Sequence, residues 1–459
     1  MKNNFKIYLI IIFALFNDIS AQTIKIIFET NNGKEEYFLK DLENINFDKF
    51  DNQFTLDLYL KSKDIVNINI TNDKFLNISE KVISFTTLPN NNNTINSFLI
   101  SEIDSIRLKQ NLNLPTFDIQ ELVLSEVIFS NFTAPWGLAF INDNEALVTE
   151  KGGQLFWVNI QTKAKVLITN TPTSSTNGQG GLLDVKLHPD FKNNSLIYLS
   201  QAISVGNNQT TVVNRAKLVN NNLTEIREVF RALPLRNSGQ HFGSRMIFDK
   251  EGKLYVSTGD RGTPTLAQDS STNNGKLNRV NADGTIPSDN PFVNRAGFRP
   301  EIFTSGNRNI QGMDIHPITG EIYINEHGPQ GGDELNLVKR GANYAWPLAT
   351  FGVNYGGGVI TTDTTYPGTT DPLTYWTPSI APCGMTFVKR DMNANEADIL
   401  ITALAGHQIQ RLQLLNNKVI KKIVCLSGYG RFRDVKQSPN GDIYAITENP
   451  GRIIKLKVK

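Results

Sequence analysis

The sequence predicts an all-β chain: a six-bladed β-propeller preceded by a small all-β accessory domain. Three observations carry this. A short hairpin phrase recurs six times across residues 125–459. No amphipathic helix pattern separates the copies, so neighbouring hairpins have no crossover helix between them. The last strand-like run, RIIKLKV, is free to pair with the first, near EVIFSNF, and so close a ring.

Before the propeller, the chain opens on the basic stretch MKNNFK and the apolar run IYLIIIFALF, then Ile19-Ser20-Ala21. This reads as a secretory signal peptide over residues 1–21, cut after Ala21. The run is shorter than the ~20 residues a spanning helix needs, so no stable membrane span is expected. The protein is expected to be exported, to the periplasm or outside the cell. Residues 22–113 hold an internal duplication. TIKIIFETNNGKEEYFLKDLENINF is echoed by KVISFTTLPNNNNTINSFLISEIDSIRL, and FTLDLYLKSKDIVNINI lies between them. Alternating apolar and β-branched residues mark strands, and the Asn-rich stretches mark turns. This unit is expected to be a surface or assembly module, or a spacer. Residues 114–124 serve as the linker.

The propeller repeat is then read strand by strand. GGQLFWVN, NNSLIYLS, EGKLYVST, TGEIYINE, EADILITA and NGDIYAIT mostly begin in a Gly/Asn turn and continue as an apolar strand. Each follows another short strand: WGLAF, GLLDVKLHP, SRMIFD, GMDIHP, GMTFV and RDVKQSP. Spacings of roughly 45–70 residues fit blades with loop insertions. They are too uneven for a β-solenoid.

Composition narrows the function. Lys and Arg number 46 against 44 Asp and Glu, with neither a basic stripe nor a basic tail, so nucleic acid is excluded as a partner. Cys383 and Cys425 are too few for a disulfide scaffold or a zinc site, and read as two buried thiols.

In a propeller the first strand of each blade lines the central channel, so the turns before these strands meet at one mouth. Those turns carry Gln179 (NGQGG), His241 (SGQHFGS), Arg308 and Asn309 (SGNRNIQG), and Arg431 and Arg433 (GRFRD). Three arginines around one histidine suit a ligand with several negative charges, because guanidinium groups match carboxylates two bonds at a time. Asp260, in STGDRG, ends the strand after His241. It could orient the ring as a base, or simply form the turn. NEHGPQGGDELN (325–336) could offer backbone carbonyls to a hard cation, or be a tight exposed turn.

These same stretches make residues 125–459 resemble the soluble aldose sugar dehydrogenases that use pyrroloquinoline quinone, the glucose/sorbosone dehydrogenase family. The matching segments are GQGGLLDVKLHPDF, HFGSRMIFDKEGKLYVSTGD, AQDSSTNNGKLNRVNADGTIPSDNPF, GNRNIQGMDIHP, NEHGPQGGDELN, NYAWPLATFGVNYGG and GRFRDV. The resemblance implies an exported oxidoreductase. It would oxidise the C1 hydroxyl of aldose sugars to lactones by hydride transfer to the quinone, then pass electrons to an external acceptor. It assigns His241 as base and Asp260 as its orienting carboxylate. Gln179, Arg308, Asn309, Arg431 and Arg433 become cofactor contacts, and the carbonyls of Gly328 and Pro329 calcium ligands, with Asp333 nearby. Trp346 matches an aromatic beside the site. One departure is Ala405, where several members carry a cofactor-contacting Lys. The alternatives are a calcium-dependent lactone hydrolase and a non-catalytic propeller that binds carbohydrate or protein.

Overall fold

The computed structural model describes residues 121–389 and 395–459 in full and, between residues 25 and 107, the backbone of the strands alone. The proposed signal peptide and linker residues before 121 lie outside the described residues. The chain divides into two units, Met1–Asp118 and Ile119–Lys459. In the first, Lys25–Thr30 pairs with Gly33–Phe38. Leu42–Phe50 lies between Gln53–Leu60 and the short Ile106–Arg107, and Lys74–Ser79, Val82–Thr87 and Ile95–Ser97 make a third sheet. All of its described elements are strands.

The second unit holds six four-stranded antiparallel sheets and a two-stranded one, Gln330–Gly331 with Gly352–Val353. Blade 1 starts at Pro135–Phe140, blade 2 at Leu182–Leu187 and blade 3 at Met246–Phe248. Blades 4, 5 and 6 start at Ile310–Ile315, Pro382–Phe387 and Phe432–Gln437. These innermost strands touch one another in cyclic order, blade 6 returning to blade 1. Blade 6 is completed by the N-terminal strand Leu122–Phe132, which pairs with the C-terminal Gly451–Val458 in the register Val127↔Ile454 and Phe129↔Ile453. Both ends of the propeller are thus held in one sheet, with Leu122–Phe132 as its outer strand.

The blade-1 hairpin departs from the expected phrase. GGQLFWVN is its third strand, Leu155–Asn159, and the second strand is Glu145–Glu150, EALVTE. The turn Asn142–Asn144 is bridged by Asn142 Oδ1, which accepts from the amides of Asn144 and Glu145. It has no glycine, so the Gly152-Gly153 turn one strand later carries the more visible signal.

Apolar wedges fill the space between adjacent sheets. Leu147, Leu155, Leu182, Val185, Ile197 and Leu199 pack blade 1 on blade 2. Tyr323, Leu335, Met385, Phe387, Ile399 and Ile401 pack blade 4 on blade 5. The alternation of each strand directs one face to each neighbour, so every sheet is buried on both sides. Among the described residues no helix is long and apolar enough to cross a membrane.

The channel is closed by charge rather than by aliphatic packing. Arg245 is 2% exposed. Its Nε donates to the Gln311 carbonyl at 2.7 Å, Nη1 to Asp184 at 3.4 Å and Asp434 at 3.2 Å, and Nη2 to the Arg433 carbonyl at 3.1 Å. Its guanidinium lies 4.0 Å over the ring of Trp136. One side chain of blade 3 therefore contacts blades 1, 2, 4 and 6. Blade 5 meets the same cluster through Gly384, where a Cβ would overlap the Asp434 carboxylate. Removing one member of a buried ion pair strands its partner's charge and costs roughly 3–5 kcal/mol. Arg245→Met is expected to lose about that much in urea unfolding; a loss below about 1 kcal/mol would show that the cluster does not hold the ring.

Candidate active site

At the mouth of the channel the His241 ring is set by its backbone. His241 has φ 50° and Gly243 φ 63°. Left-handed backbone is unfavourable for a residue with a Cβ, and the turn is held there from several sides. The His241 amide donates to Gln179 Oε1 at 2.8 Å, and the Gly243 amide to Asn309 Oδ1 at 3.1 Å. Gln311 Nε2 donates to the Gly243 carbonyl at 3.0 Å. Arg261 stacks 3.6 Å over Phe242 and donates to the carbonyls of Ser238 and Gln240. Gly243 must be glycine, since a Cβ would come within 2.7 Å of the Thr258 backbone.

His241 Nδ1 lies 2.6 Å from Asp260 Oδ1. The other oxygen, Oδ2, accepts from Trp346 Nε1 at 2.8 Å, and the Gly262 amide donates to Oδ1 at 2.9 Å. A carboxylate so placed keeps the proton on Nδ1 and leaves Nε2 as the basic nitrogen. Burial lowers the His241 pKa, against the hydrogen bond it donates to Asp260, which raises it; Arg308 adds to the lowering. Burial pushes Asp260 up, but its bonds to His241 and the charge of Arg308 bring it below the ordinary carboxylate value. The net arrangement is a neutral imidazole beside an ionised carboxylate, as a general base requires.

The expected cations converge on the same mouth. Arg308, 7% exposed, donates to the carbonyls of His327 at 3.1 Å and Gly328 at 2.7 Å. Its guanidinium lies 5.5 Å from the ring of Trp346 and 6.0 Å from that of the exposed Tyr355. Arg433 grips Glu448 with Nε at 2.6 Å and with Nη2, and reaches Gln311 Oε1 at 3.1 Å. Arg431, with its side chain 43% exposed, is 3.7 Å from the other Glu448 oxygen and 3.4 Å from the Leu404 carbonyl. Its guanidinium is the least satisfied of the three. Gln179 and Asn309 both give their side-chain oxygens to the histidine turn. Ala405 is exposed on the turn after the second strand of blade 5, next to Leu404.

Asp333 has a different place from a metal ligand. Its oxygens accept from the Gly328 amide (2.9 Å), the Ser379 hydroxyl (2.7 Å), and the amides of Ile380 (2.7 Å) and Ala381 (2.9 Å). A carboxylate with its lone pairs so used holds the Gly328–Pro329 loop from behind. Among the described residues no group of three or more His, Cys, Asp or Glu side chains converges as a metal site. A hard cation here would therefore take backbone carbonyls and oxygens of its own ligand.

Several working residues lie outside the set that the motifs single out for the site. Glu150, Glu326 and Glu448 end the second strands of blades 1, 4 and 6, and each pins a neighbour. Glu326 accepts from Asn307 Nδ2 (2.8 Å) and the Arg308 amide (2.6 Å), fixing the arginine turn. Aligning VTEK, INEH and ITEN would have found them. Lys276 is fully buried and donates to the carbonyls of Leu266 (2.7 Å), Ala267 (2.9 Å) and Asn274 (2.9 Å). Burial pushes its pKa down to about 7. It shapes the loop bearing Gln268, whose Nε2 donates to the Trp346 carbonyl at 2.7 Å. A chain of contacts thus leads from Lys276 by way of the Gln268 loop to Trp346, which donates to Asp260. Cys383, also buried, lies 3.4 Å from Arg433 Nη1. Cys425 is a second buried thiol, and the two are not bridged to each other.

The comparisons with known proteins converge on one family. The family described as "Glucose / Sorbosone dehydrogenase" matches residues 132–455. The aldose sugar dehydrogenase YliI of Escherichia coli K12 is 38% identical over 341 residues, covering 72% of this chain and 92% of that protein. Quinoprotein glucose dehydrogenase B of Acinetobacter calcoaceticus is 28% identical, covering 72% and 86%. The apo crystal structure of the soluble aldose sugar dehydrogenase of Escherichia coli superposes with TM-score 0.69 at 34% identity, covering 74% of this chain and all of that one. The PQQ-bound aldose sugar dehydrogenase of Streptomyces coelicolor does so with TM-score 0.63 at 26% identity, covering 74% and 98%.

The half-buried His327, which follows the second strand of blade 4, gives a prediction about stability. Burial, with the charges of Arg433 and Arg308, lowers the pKa of His327 from 6.5 to about 3. Between those values the unfolded chain binds a proton that the native one does not. His327 therefore costs up to about 1.4 kcal/mol of stability for each unit of pH lost in that window. Urea unfolding at pH 7 and pH 5 should show a steeper fall for wild type than for His327→Gln; equal falls would refute a neutral His327.

Proposed function

This chain belongs to the glucose/sorbosone dehydrogenase family, and on that premise we propose that it oxidises aldose sugars at the C1 hydroxyl to lactones, using pyrroloquinoline quinone and calcium. The observation that carries the reading is His241, tied to Asp260 at 2.6 Å through Nδ1, at a mouth shared with Arg308, Arg431 and Arg433.

The fit to a flat polycarboxylate rests on the arginines. Arg431 keeps an exposed guanidinium with only distant partners, and Arg308 lies near the rings of Trp346 and Tyr355, so guanidinium groups for carboxylates and aromatic rings for a flat ligand stand together. The carbonyls of Gly328 and Pro329 are the protein oxygens proposed for calcium, with Asp333 holding their loop. When bound, the quinone supplies the two-electron acceptor and the cation increases its electrophilicity.

The chain's own part is proton management and alignment. His241 Nε2 takes the proton of the sugar C1 hydroxyl. Asp260 stabilises the imidazolium that results, and Trp346 keeps Asp260 from rotating away. Gln179 and Asn309 hold the histidine turn so that the ring faces the mouth. The electrons then leave to an external acceptor, a small cytochrome or a quinone-like molecule. Export to the periplasm or cell exterior, directed by residues 1–21, would bring the protein to such sugars and acceptors.

The test is reconstitution of the purified protein with pyrroloquinoline quinone and calcium, following reduction of a dye acceptor with a panel of aldoses. His241→Ala should lose on the order of 10²–10⁴ in kcat. Asp260→Asn should lose on the order of 10³ or more, because the amide no longer selects the basic tautomer. The acid limb of kcat/KM should fall below the ordinary histidine value of 6.5. Turnover unaffected by His241→Ala would remove the base from the scheme.

A further inference from the structure

The mouth holds more positive charge than its own carboxylates neutralise. Glu448 is the nearest acid to Arg431 and Arg433, bonded to Arg433 by Nε at 2.6 Å and lying 3.7 Å from Arg431. A third cation joins them from the opposite side of the blade 6–blade 1 seam. Lys151 follows directly on the second strand of blade 1, Glu145–Glu150. Its backbone is clamped: the amide donates to the Ala134 carbonyl at 3.1 Å, and its carbonyl accepts from the Leu182 amide at 3.3 Å. Gly181 must lack a side chain there, because a Cβ would overlap the Lys151 carbonyl. The residue therefore stands beside the NGQGG turn that carries Gln179. It is the repeat equivalent of His327, which follows the second strand of blade 4 in the same way.

The ammonium of Lys151 is half-buried, and the charges of Glu448 and Arg433 both act on it. Burial lowers its pKa, Glu448 raises it, and Arg433 lowers it again. Its nearer acidic neighbour in sequence, Glu150, is engaged elsewhere, accepting from the Thr133 amide at 2.6 Å and pairing with Lys165 at 3.7 Å. The clamped backbone sets Lys151 beside the Gln179 turn, the charges of Arg433, Arg431 and Lys151 all act on Glu448, and that carboxylate is already gripped by Arg433. A half-buried cluster with this surplus gains from an added anion more than exposed charges would, because the protein screens it less than water does.

We propose that Lys151 is a further cofactor-anchoring residue, pairing with a carboxylate of the bound quinone opposite Arg431. This rests on the reading of the mouth as the quinone site. It also bears on Ala405, the blade 5 position where the resemblance implies a cofactor-contacting Lys: a cation from blade 1 would stand in for it.

The experiment is equilibrium binding of pyrroloquinoline quinone to the apo full-length protein by calorimetry, without sugar or acceptor, at low salt and at 0.5 M salt. Lys151→Met should weaken binding roughly 10-fold at low salt, with a shallower salt dependence. Lys151→Arg should keep most of the affinity, and Ala405→Lys added to Lys151→Met should restore it. Thermal unfolding of each variant checks that the fold is intact. Wild-type binding matched by Lys151→Met in affinity and salt dependence would overturn the role of Lys151 and leave the quinone site standing. No quinone binding by wild type would overturn the site itself, and Lys151 with it.

Discussion

The buried guanidinium of Arg245 is the constraint on which the rest of the propeller depends. A six-bladed ring leaves a channel that aliphatic side chains from short inner strands do not fill. Here the space holds the Arg245 guanidinium, in reach of the carboxylates of Asp184 and Asp434 and the indole of Trp136. Met246 donates its amide to Asp184 at 2.9 Å, and Asp434 accepts from Lys436 at 3.0 Å. The charges are thus shared among strands of different blades. Such a cluster has little advantage over apolar packing in stability, but its directional bonds fix how the inner strands stand relative to one another. Arg245 is four residues from His241, and its Nη2 is bonded to the carbonyl of Arg433. The hub below the mouth and the site at the mouth are parts of the same strands.

The site follows a consistent division of labour. Groups that would face a ligand are aimed by neighbours that do not. Asp260 aims His241, Trp346 aims Asp260, and Gln268 with Lys276 aims Trp346. Asp333 aims Gly328, and Glu326 aims Arg308. Most of these supporting groups are buried and fully hydrogen-bonded, where a loose partner would leave an unsatisfied charge or dipole. Lys276 is the extreme case, an ammonium enclosed by three backbone carbonyls. Its loop is packed around it much as carbonyls pack around a bound cation.

Much of this was legible in the residues. The repeated hairpins, the closing strand and the convergence of Gln179, His241, Arg308, Asn309, Arg431 and Arg433 follow from strand periodicity and ring closure. The phase of blade 1 was not legible, because its true second strand follows a turn without glycine while a Gly-Gly turn one strand later imitates the repeat. The use of Asp333 was also hidden: a carboxylate beside a Gly-Pro loop is equally compatible with holding a cation and with holding the loop. Trp346 stands 86 positions from Asp260, and no spacing rule connects an indole to a carboxylate at that range.

By itself, then, the sequence determined the alternation that makes the strands, the turns that delimit the blades, and the residue types available at the channel mouth. These are local properties, set by side-chain period and backbone freedom within a few positions. The tertiary structure alone decided which nitrogen of His241 is basic, which carboxylates are already occupied, and which cations remain under-neutralised. Those depend on distances of a few ångströms between blades far apart in the chain, and they are fixed only when the ring closes.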